Sequence, residues 1–359
     1  MKYRQTLYLT LLLSAVIVLI KLASYQATFI ESSYSLGFYH WFSAVMRTFL
    51  GWLPVSFGDI LYGVVGAFLI FKLVRFTSLL FRNRKKIHFY NTKQWLKVLN
   101  AILLVYVVFN IFWGLNYNRQ GVTKQLELSI LPYSTGELSA LNYLLVQKVN
   151  ENKTAIPAGA APLTNSQLFK KTVESYQSAT VNYPFLAHKN VSLKSSLWGW
   201  LGNYAGFNGY YNPFTGEAQV NTTVPHFLQP FIACHEVAHQ LGYAKEMEAN
   251  FVGYLAASSS EEPLFRYSSY LDLFLYANRN LYFVDSVKAI SYRKKLSAPV
   301  LADLKVRAKF SQAHQSFLEP IVAWGYGYFL LSNEQPQGML SYDEVTGFLI
   351  AFYKKYNKV

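Results

Sequence analysis

Two histidines and a glutamate lie close together in the segment HEVAH at residues 235–239. His235 and His239 are four positions apart, so both imidazoles point to the same side if the segment is helical. This spacing lets two ring nitrogens reach one tetrahedral zinc ion. Glu236 follows the first histidine, where its carboxylate could take a proton from a metal-activated water. The segment therefore predicts one zinc ion and hydrolytic chemistry.

A hydrolytic zinc site needs a third protein ligand, and two glutamates that follow the motif are candidates. Gly242 comes three residues after His239 and can take the left-handed conformation that ends a helix and turns the chain. Glu246 and Glu248 come after this turn, and the apolar run at residues 251–257 predicts a second helix. Either glutamate could complete the site.

The stretch resembles the zincin metallopeptidases. HExxHxxG is similar to the metzincin motif, but the metzincin third-ligand position is Lys245 here, which cannot bind metal while protonated. The segment EMEAN at residues 246–250 resembles instead the E-x-E-A-D/N box of gluzincin-like membrane peptidases and anti-repressor metallopeptidases. That resemblance implies Glu246 as the third ligand and Asn250 as the support of a ligand histidine. The spacer is shorter than in most gluzincins, so Glu248 stays the alternative. As a whole, the chain resembles an uncharacterised family of Bacteroidetes membrane proteins.

The composition is that of a membrane protein with a sizeable globular part. Apolar residues make up 52% of the 359 residues, aromatics 17% and charged residues 14%. The net charge of +14 comes with no nucleic-acid motif, and many of the positive residues lie near apolar segments. We therefore expect a lipid bilayer as partner and no nucleic acid. The single cysteine, Cys234, excludes an internal disulfide framework and is expected to be a buried small residue.

Three apolar segments predict membrane spans, at about 6–24, 60–81 and 98–115. Lys21, Lys72 and Arg75 must then extend towards the membrane surface. An amphipathic helix is expected at 38–53, lying at the interface. Basic residues concentrate before the first span and between the second and third, as in RNRKK at 82–86. The N-terminus and the loop at 82–97 are therefore predicted to be cytoplasmic, with residue 116 onward outside the membrane. The family resemblance implies a bacterial inner membrane and a periplasmic domain.

The fold expected is a mainly α membrane protein. Residues 1–115 form the membrane anchor, and 116–359 form a mostly helical α+β zincin-like extracytoplasmic domain with a small sheet. Helices are expected at 134–149, 165–180, 226–241, 244–257, 263–281, 299–310, 315–331 and 342–356. The stretch 198–224 predicts short strands and turns.

In zincins, a strand before the motif helix forms the rim of the cleft and pairs with an extended substrate. The stretch 198–224 has that position, although a glycine-rich packing motif would explain it equally well. Within it, Tyr210 and Tyr211 are possible oxyanion partners, and with Glu217 they are the possible residues of a substrate-binding strand.

The leading hypothesis is a membrane-anchored zinc peptidase that acts on a peptide or protein, with Glu236 as general base. The alternative is a membrane-tethered binding or scaffold protein that keeps a zincin-like fold without turnover. An intramembrane site-2 type protease is disfavoured, because Pro225, Gln229 and Pro230 break the apolar stretch before His235.

Overall fold

The computed structural model describes residues 3–82, 92–187 and 189–359. About 73% of the structure is helical, and the described residues form one small three-stranded sheet. This confirms the expectation of a mainly α protein with a small sheet. The basic residues Arg84 to Lys86, used to predict the orientation in the membrane, lie outside the described residues.

Three long apolar helices are present in the N-terminal part, as expected. They are α1 (Tyr3–Ser24), α4 (Phe57–Arg82) and α5 (Thr92–Phe112). Their apolar windows have mean hydropathies of 2.2, 1.8 and 2.0, and at most 22% of each window is buried, so each is long and apolar enough to cross a membrane. α5 ends three residues before the predicted limit of 115, because the chain turns at Trp113 into a 3-10 helix.

The segment between α1 and α4 packs against the second half of the chain. It contains α2 (Ala27–Phe29), a π-helix (Ile30–Tyr39) and α3 (His40–Leu50), where a single interfacial helix at 38–53 was expected. The Tyr39 hydroxyl donates a hydrogen bond to the Gln240 carbonyl at 3.1 Å. A π-helix of this length is rare and often lies near a functional site.

The second half of the chain carries most of the helices. Ser134 and Glu137 form a capping box at α7, and Thr164 and Gln167 form one at α8. The helices are α6 (Gly121–Gln125), α7 (Thr135–Ala155), α8 (Asn165–Thr180), α9 (Gly199–Ala205), α10 (Gln229–Gln240), α11 (Glu246–Ser258), α12 (Pro263–Val284), α13 (Ser286–Lys294), α14 (Ala298–Ala313), α15 (Leu318–Ser332) and α16 (Val345–Tyr356).

Helix α9 lies where strands and turns were expected. Gly199 faces the side chain of Asn221, and a Cβ there would lie 2.6 Å from Asn221 Oδ1. The Asn221 amide also donates a hydrogen bond to the Gly199 carbonyl at 2.9 Å. This tertiary contact with Asn221 stabilises the short helix. The local pattern of glycines and aromatic residues could not predict the helix, because it contains no information on that contact.

The sheet consists of β1 (Leu193–Ser195), β2 (Gly209–Asn212) and β3 (Glu217–Val220) in the order β1-β3-β2. β1 runs parallel to β3, and β2 runs antiparallel to it with Tyr211 paired to Ala218. The β2–β3 turn uses Gly216 at φ 71°. β2 is therefore at the edge of the described sheet.

The core lies around α10 and α11, and every residue of α10 is buried. The two helices approach closely at Gly253, where a Cβ would lie 3.0 Å from the backbone nitrogen of His235. On the other side, the Tyr176 hydroxyl donates to the Cys234 carbonyl at 2.7 Å. Cys234 itself is fully buried, as a small core residue would be.

Several contacts cross the predicted boundary between residues 115 and 116. Arg47 Nε donates to the Asn190 carbonyl at 2.8 Å, and Lys194 Nζ donates to the Gly51 carbonyl at 2.6 Å. The segment that precedes α4 is thus part of the same packed body as the later helices. Residues 30–59, which were predicted to belong to the membrane anchor, therefore pack together with the predicted extracytoplasmic domain.

A buried ion pair fastens this segment to the chain after α5. Arg119 donates from Nε and Nη2 to the two carboxylate oxygens of Glu31 at 2.9 and 2.7 Å. Burial raises the pKa of Glu31, but the Arg119 guanidinium and neighbouring backbone donors lower it by a larger amount. The net shift of the pKa is therefore downward. The Arg119 guanidinium also lies 4.5 Å from the ring centroid of Tyr243.

We predict that Glu31→Ala destabilises the protein by about 3 kcal/mol or more at neutral pH, because it leaves the buried guanidinium of Arg119 without its carboxylate. The matched control is Glu151→Ala, which removes an exposed pair with Lys148 and should cost less than about 1 kcal/mol. Thermal unfolding in detergent measures both.

The effect of Glu31 depends on pH in a defined direction. Because its pKa is lowered in the folded state, its stabilisation is present above the ordinary value of 4.5 and is lost as pH falls through the folded value. The difference in unfolding stability between wild type and Glu31→Ala should therefore narrow only below about pH 4.5. A stability difference that is the same at pH 7 and at pH 3 would contradict a lowered pKa of Glu31.

Candidate metal centre

Helix α10 presents His235 and His239 on one face, and both Nε2 atoms point towards the carboxylate of Glu246. Glu246 Oε2 lies 3.2 Å from Nε2 of His235 and 3.5 Å from Nε2 of His239. One ligand atom from each residue lies within 4.8 Å of the others, and all three side chains are buried. These three residues form a group that could hold a metal ion, and they are called the His-His-Glu cluster below.

The turn after α10 brings Glu246 back to the two histidines. Gly242 has φ 86°, and the Tyr243 amide donates to the Ala238 carbonyl at 3.1 Å, as in a Schellman turn. A side chain at position 242 would also collide with Tyr39 and Asn116, since its Cβ would lie about 3.0 Å from an atom of each. Glu246 is the first residue of α11, directly above the histidines.

Each member of the cluster has its other polar atom engaged elsewhere. His235 Nδ1 lies 2.8 Å from Asn250 Oδ1, and His239 Nδ1 lies 2.8 Å from the Tyr243 carbonyl. Since these oxygens accept, each Nδ1 carries the proton and each Nε2 of a neutral ring offers its lone pair. Glu246 Oε1 accepts a hydrogen bond from the Tyr326 hydroxyl at 2.6 Å, which leaves Oε2 directed at the histidines.

Two of the three distances between the ligand atoms of the cluster match those of a tetrahedral metal site. Zinc bonds to nitrogen and oxygen are about 2.0–2.1 Å long, so neighbouring ligand atoms of a tetrahedral site lie about 3.3 Å apart. The distances of 3.2 and 3.5 Å from Glu246 Oε2 to the two Nε2 atoms match this spacing. Two imidazoles and one carboxylate are also a donor set of hydrolytic zinc sites.

The charges within the cluster shift its pKa values in opposite directions. Burial raises the pKa of Glu246, but the two histidines lower it more, and the net shift is strongly downward. Burial lowers the pKa of His239, while the carboxylate of Glu246 overcomes this and raises it to about 8. The site therefore favours positive charge next to an ionised Glu246.

Glu236 lies beside the cluster and faces strand β2. Its side chain is 4% exposed, and burial raises the pKa of Glu236 to about 7, against the opposing effect of the histidines. A Cβ at Gly209 would lie only 2.6 Å from Glu236 Oε1, so the strand can pass this close only because residue 209 is glycine. The edge strand and the expected general base are thus neighbours.

The structure places Glu248 away from the histidines. Glu248 Oε1 accepts a hydrogen bond from the Val122 amide at 3.2 Å and presses against Gly121, whose φ is 69°. Burial raises the pKa of Glu248, although Lys245 and Arg119 act in the opposite direction. Of the two glutamates that the sequence left as candidates, Glu246 is the one in the cluster.

The two tyrosines of β2 bond to other parts of the molecule. The Tyr210 hydroxyl donates to Asp59 Oδ1 in the first turn of α4. The Tyr211 hydroxyl lies 3.0 Å from the Tyr39 hydroxyl, within hydrogen-bond distance, and its ring lies 5.6 Å from that of Trp113. Both hydroxyls are therefore engaged in contacts with the segment that precedes residue 115.

The carboxylate of Glu217 is bound to the start of helix α4. Its carboxylate accepts hydrogen bonds from the backbone amides of Phe57 at 3.1 Å and Gly58 at 2.6 Å, and from the Thr215 hydroxyl at 2.9 Å. It thereby caps the N-terminus of α4, where a carboxylate is favoured by the helix dipole. The place of Glu217 in a substrate-binding strand stays a prediction.

Sequence reasoning missed residues that hold the cluster from a distance. Tyr326 comes from α15, 80 residues after Glu246, and nothing in the local sequence marks it. Trp113 Nε1 donates to the His239 carbonyl at 3.4 Å, and its ring lies 6.0 Å from that of His239. Trp113 lies directly after α5, about 120 residues before the motif, and the local sequence does not connect it with His239.

A family model matches residues 34–350 of this chain, and its description is protein of unknown function (DUF3810). The chain belongs to this family. The match runs from the π-helix to the last helix, so it includes the His-His-Glu cluster and the two later apolar helices. No curated protein and no solved structure matches the chain.

We predict that the full chain, purified in detergent, binds about one zinc ion and that Glu246→Gln abolishes this binding, because an amide oxygen is a poor replacement for the carboxylate ligand. Glu248→Gln is the matched control, since it keeps an acceptor for the Val122 amide on the same helix. Metal analysis after dialysis against zinc measures both. Zinc retained in Glu246→Gln and lost in Glu248→Gln would reverse the assignment.

We also predict that Tyr326→Phe weakens zinc affinity by about 10- to 100-fold, because hydrogen bonds to a ligand orient it towards the metal. Tyr328→Phe removes a hydroxyl from the exposed face of the same helix and should leave the affinity unchanged. Competition with a zinc chelator measures the two constants. Equal affinities would show that the hydroxyl of Tyr326 has no part in holding Glu246.

Proposed function

We propose that this protein is a membrane-anchored zinc metallopeptidase. The observation that carries the proposal is the convergence of His235 Nε2, His239 Nε2 and Glu246 Oε2, with the carboxylate of Glu236 buried beside them. Two histidines four residues apart and one carboxylate, the third ligand, form a donor set of hydrolytic zinc sites, and the glutamate between the histidines is the usual base.

In this proposal different residues bind the metal ion and transfer the proton. His235, His239 and Glu246 hold the zinc ion, which when bound would polarise a substrate carbonyl and make a water molecule more acidic. Glu236 accepts the proton of the attacking water on a carboxylate oxygen. It then passes that proton to the amine nitrogen released when the peptide C–N bond breaks, and so returns to its ionised form.

Strand β2 is the proposed docking edge for the substrate. It lies at the edge of the described sheet, and Gly209 brings it against Glu236. An extended peptide that adds to this edge would form backbone hydrogen bonds and place a peptide bond near the base. The hydroxyls of Tyr210 and Tyr211 are engaged elsewhere, so the backbone of the strand supplies the main contact in this proposal.

The three apolar helices α1, α4 and α5 are proposed to anchor the protein in the bacterial inner membrane. The positive residues around them favour a cytoplasmic N-terminus and a metal centre on the outer, periplasmic side. The N-terminus of α4 and the C-terminal end of α5 both lie next to the packed body that carries the centre, as Glu217 and Trp113 show. This common end of the helices supports the proposed topology.

We predict that Glu236→Gln keeps zinc but loses turnover by about 100- to 10,000-fold, because the amide cannot accept the proton of water. The matched control is Glu174→Gln, an exposed residue on α8 that should retain wild-type activity and zinc content. Hydrolysis of fluorescent casein and of a mixed peptide library by the full chain provides the measurement.

Each other outcome has a defined meaning. Full activity in Glu236→Gln would contradict the mechanism. A wild-type protein that binds zinc in the expected amount but cleaves neither substrate would favour the alternative of a binding or scaffold protein. Absence of zinc from the well-folded wild type would remove the basis of the proposal.

A further inference from the structure

Helix α15 exposes a stripe of apolar side chains, which is unfavourable if that face is in contact with water. Its outward residues recur at spacings of three and four and are between 49% and 77% exposed. None of them is charged. A surface helix of a soluble domain shows the opposite pattern, with polar residues outward. The stripe consists of Phe317, Ile321, Trp324, Tyr328 and Leu331.

The opposite face of α15 contacts the metal centre and the end of α5. Tyr326 donates its hydroxyl to Glu246. Phe329 packs against Phe109 of α5 and against Tyr117, with ring centroids 6.0 and 6.2 Å apart. One face of the helix therefore holds a metal ligand, and the stripe faces away from the protein.

The N-terminal end of the stripe lies next to another exposed apolar side chain. Ser316 Oγ donates to the Tyr204 carbonyl at 2.6 Å, which joins the start of α15 to α9. On α9, Trp200 is 57% exposed. Trp198, just before α9, packs on Gly63 of α4, where a Cβ would lie 2.9 Å from its ring. Contacts thus join α4 to α9 and α9 to the start of α15, while the inner face of α15 packs on α5 through Phe329.

We propose that the apolar stripe of α15 is a lipid-binding surface, seated in the outer half of the bilayer, that holds the metal centre at the membrane surface. The proposal rests on the membrane anchor proposed above. The contacts of α15 with α5, and with α4 through α9, identify lipid as the occupant, because those apolar helices would be covered by lipid beside it. Tryptophan and tyrosine are the aromatics favoured at a bilayer surface.

The length of the helix fits a surface position rather than a fourth span. α15 has 15 residues, or about 22 Å at 1.5 Å per residue, and a span needs about 20 residues. Glu319 in its first turn lies beside Gly206, outside the stripe. A helix lying in the interface with its apolar face towards the acyl chains satisfies these features.

The test measures lipid contact at single spin labels in the full chain, reconstituted in lipid nanodiscs. Labels replace Ile321, Trp324 and Tyr328 in turn, as Ile321→Cys, Trp324→Cys and Tyr328→Cys. Lys170→Cys on α8 is the water-facing control, and Leu12→Cys in the middle of α1 is the bilayer control. Cys234 is fully buried, and the wild type taken through the same labelling gives the blank.

The readout is the ratio of collisions with oxygen, which concentrates in lipid, to collisions with a water-soluble nickel chelate. We expect a severalfold higher ratio at the three stripe positions than at Lys170→Cys, approaching that of Leu12→Cys. Three independent positions keep the test valid if one variant fails to fold.

Three outcomes would overturn the proposal. A ratio equal to that of Lys170→Cys, with Leu12→Cys in lipid, would place the stripe in water and leave the anchor intact. Few collisions of both kinds would show that protein, such as a second copy of the chain, covers the stripe. A water-like ratio at Leu12→Cys would overturn the membrane anchor itself and the lipid surface with it.

Discussion

A carboxylate buried in an apolar core costs free energy unless positive charge and hydrogen-bond donors surround it, and Glu246 is under this constraint. It is 2% exposed and lies between two imidazoles and the hydroxyl of Tyr326. Each histidine is in turn fixed by an oxygen at its Nδ1 atom. The hydrogen bonds at the Nδ1 atoms and at Glu246 Oε1 leave the two Nε2 atoms and Glu246 Oε2 facing one another, so the interactions that accompany burial also form the candidate metal centre.

The polar contacts around the centre extend into the segment that precedes α4. Tyr39 bonds to the last turn of α10, and the Glu31–Arg119 pair lies against Tyr243, whose carbonyl orients His239. Glu217 of the sheet caps α4. The helices proposed to enter the membrane and the metal centre are therefore joined by buried charges and hydrogen bonds rather than by a flexible linker. Disturbance at residues 30–59 is expected to reach the ligands.

Helix α15 lies between the candidate metal centre and the exposed apolar surface of the molecule. Its inner face supplies the hydroxyl that holds Glu246, and its outer face carries the apolar stripe. If the stripe lies in lipid, the position of the bilayer surface also fixes the height of the metal centre and of the edge strand β2. The centre would then meet polypeptide segments at the membrane surface.

The sequence by itself determined the features that depend on local spacing. The four-residue interval between His235 and His239, the turn at Gly242 and the three long apolar runs each follow from helical periodicity or from a single residue type. The structure has a helix at the two histidines and at each apolar run, and a turn at Gly242. The choice between Glu246 and Glu248 needed the tertiary structure, because it depends on how far the turn rotates α11 over α10, and Gly253 sets that approach. Local sequence also could not assign Glu217 to the cap of α4 or Tyr326 to Glu246, since each pair joins residues about 80 or more positions apart. Long-range packing decides which of many buried polar groups meet, and a sequence pattern reports only on neighbours within a few turns.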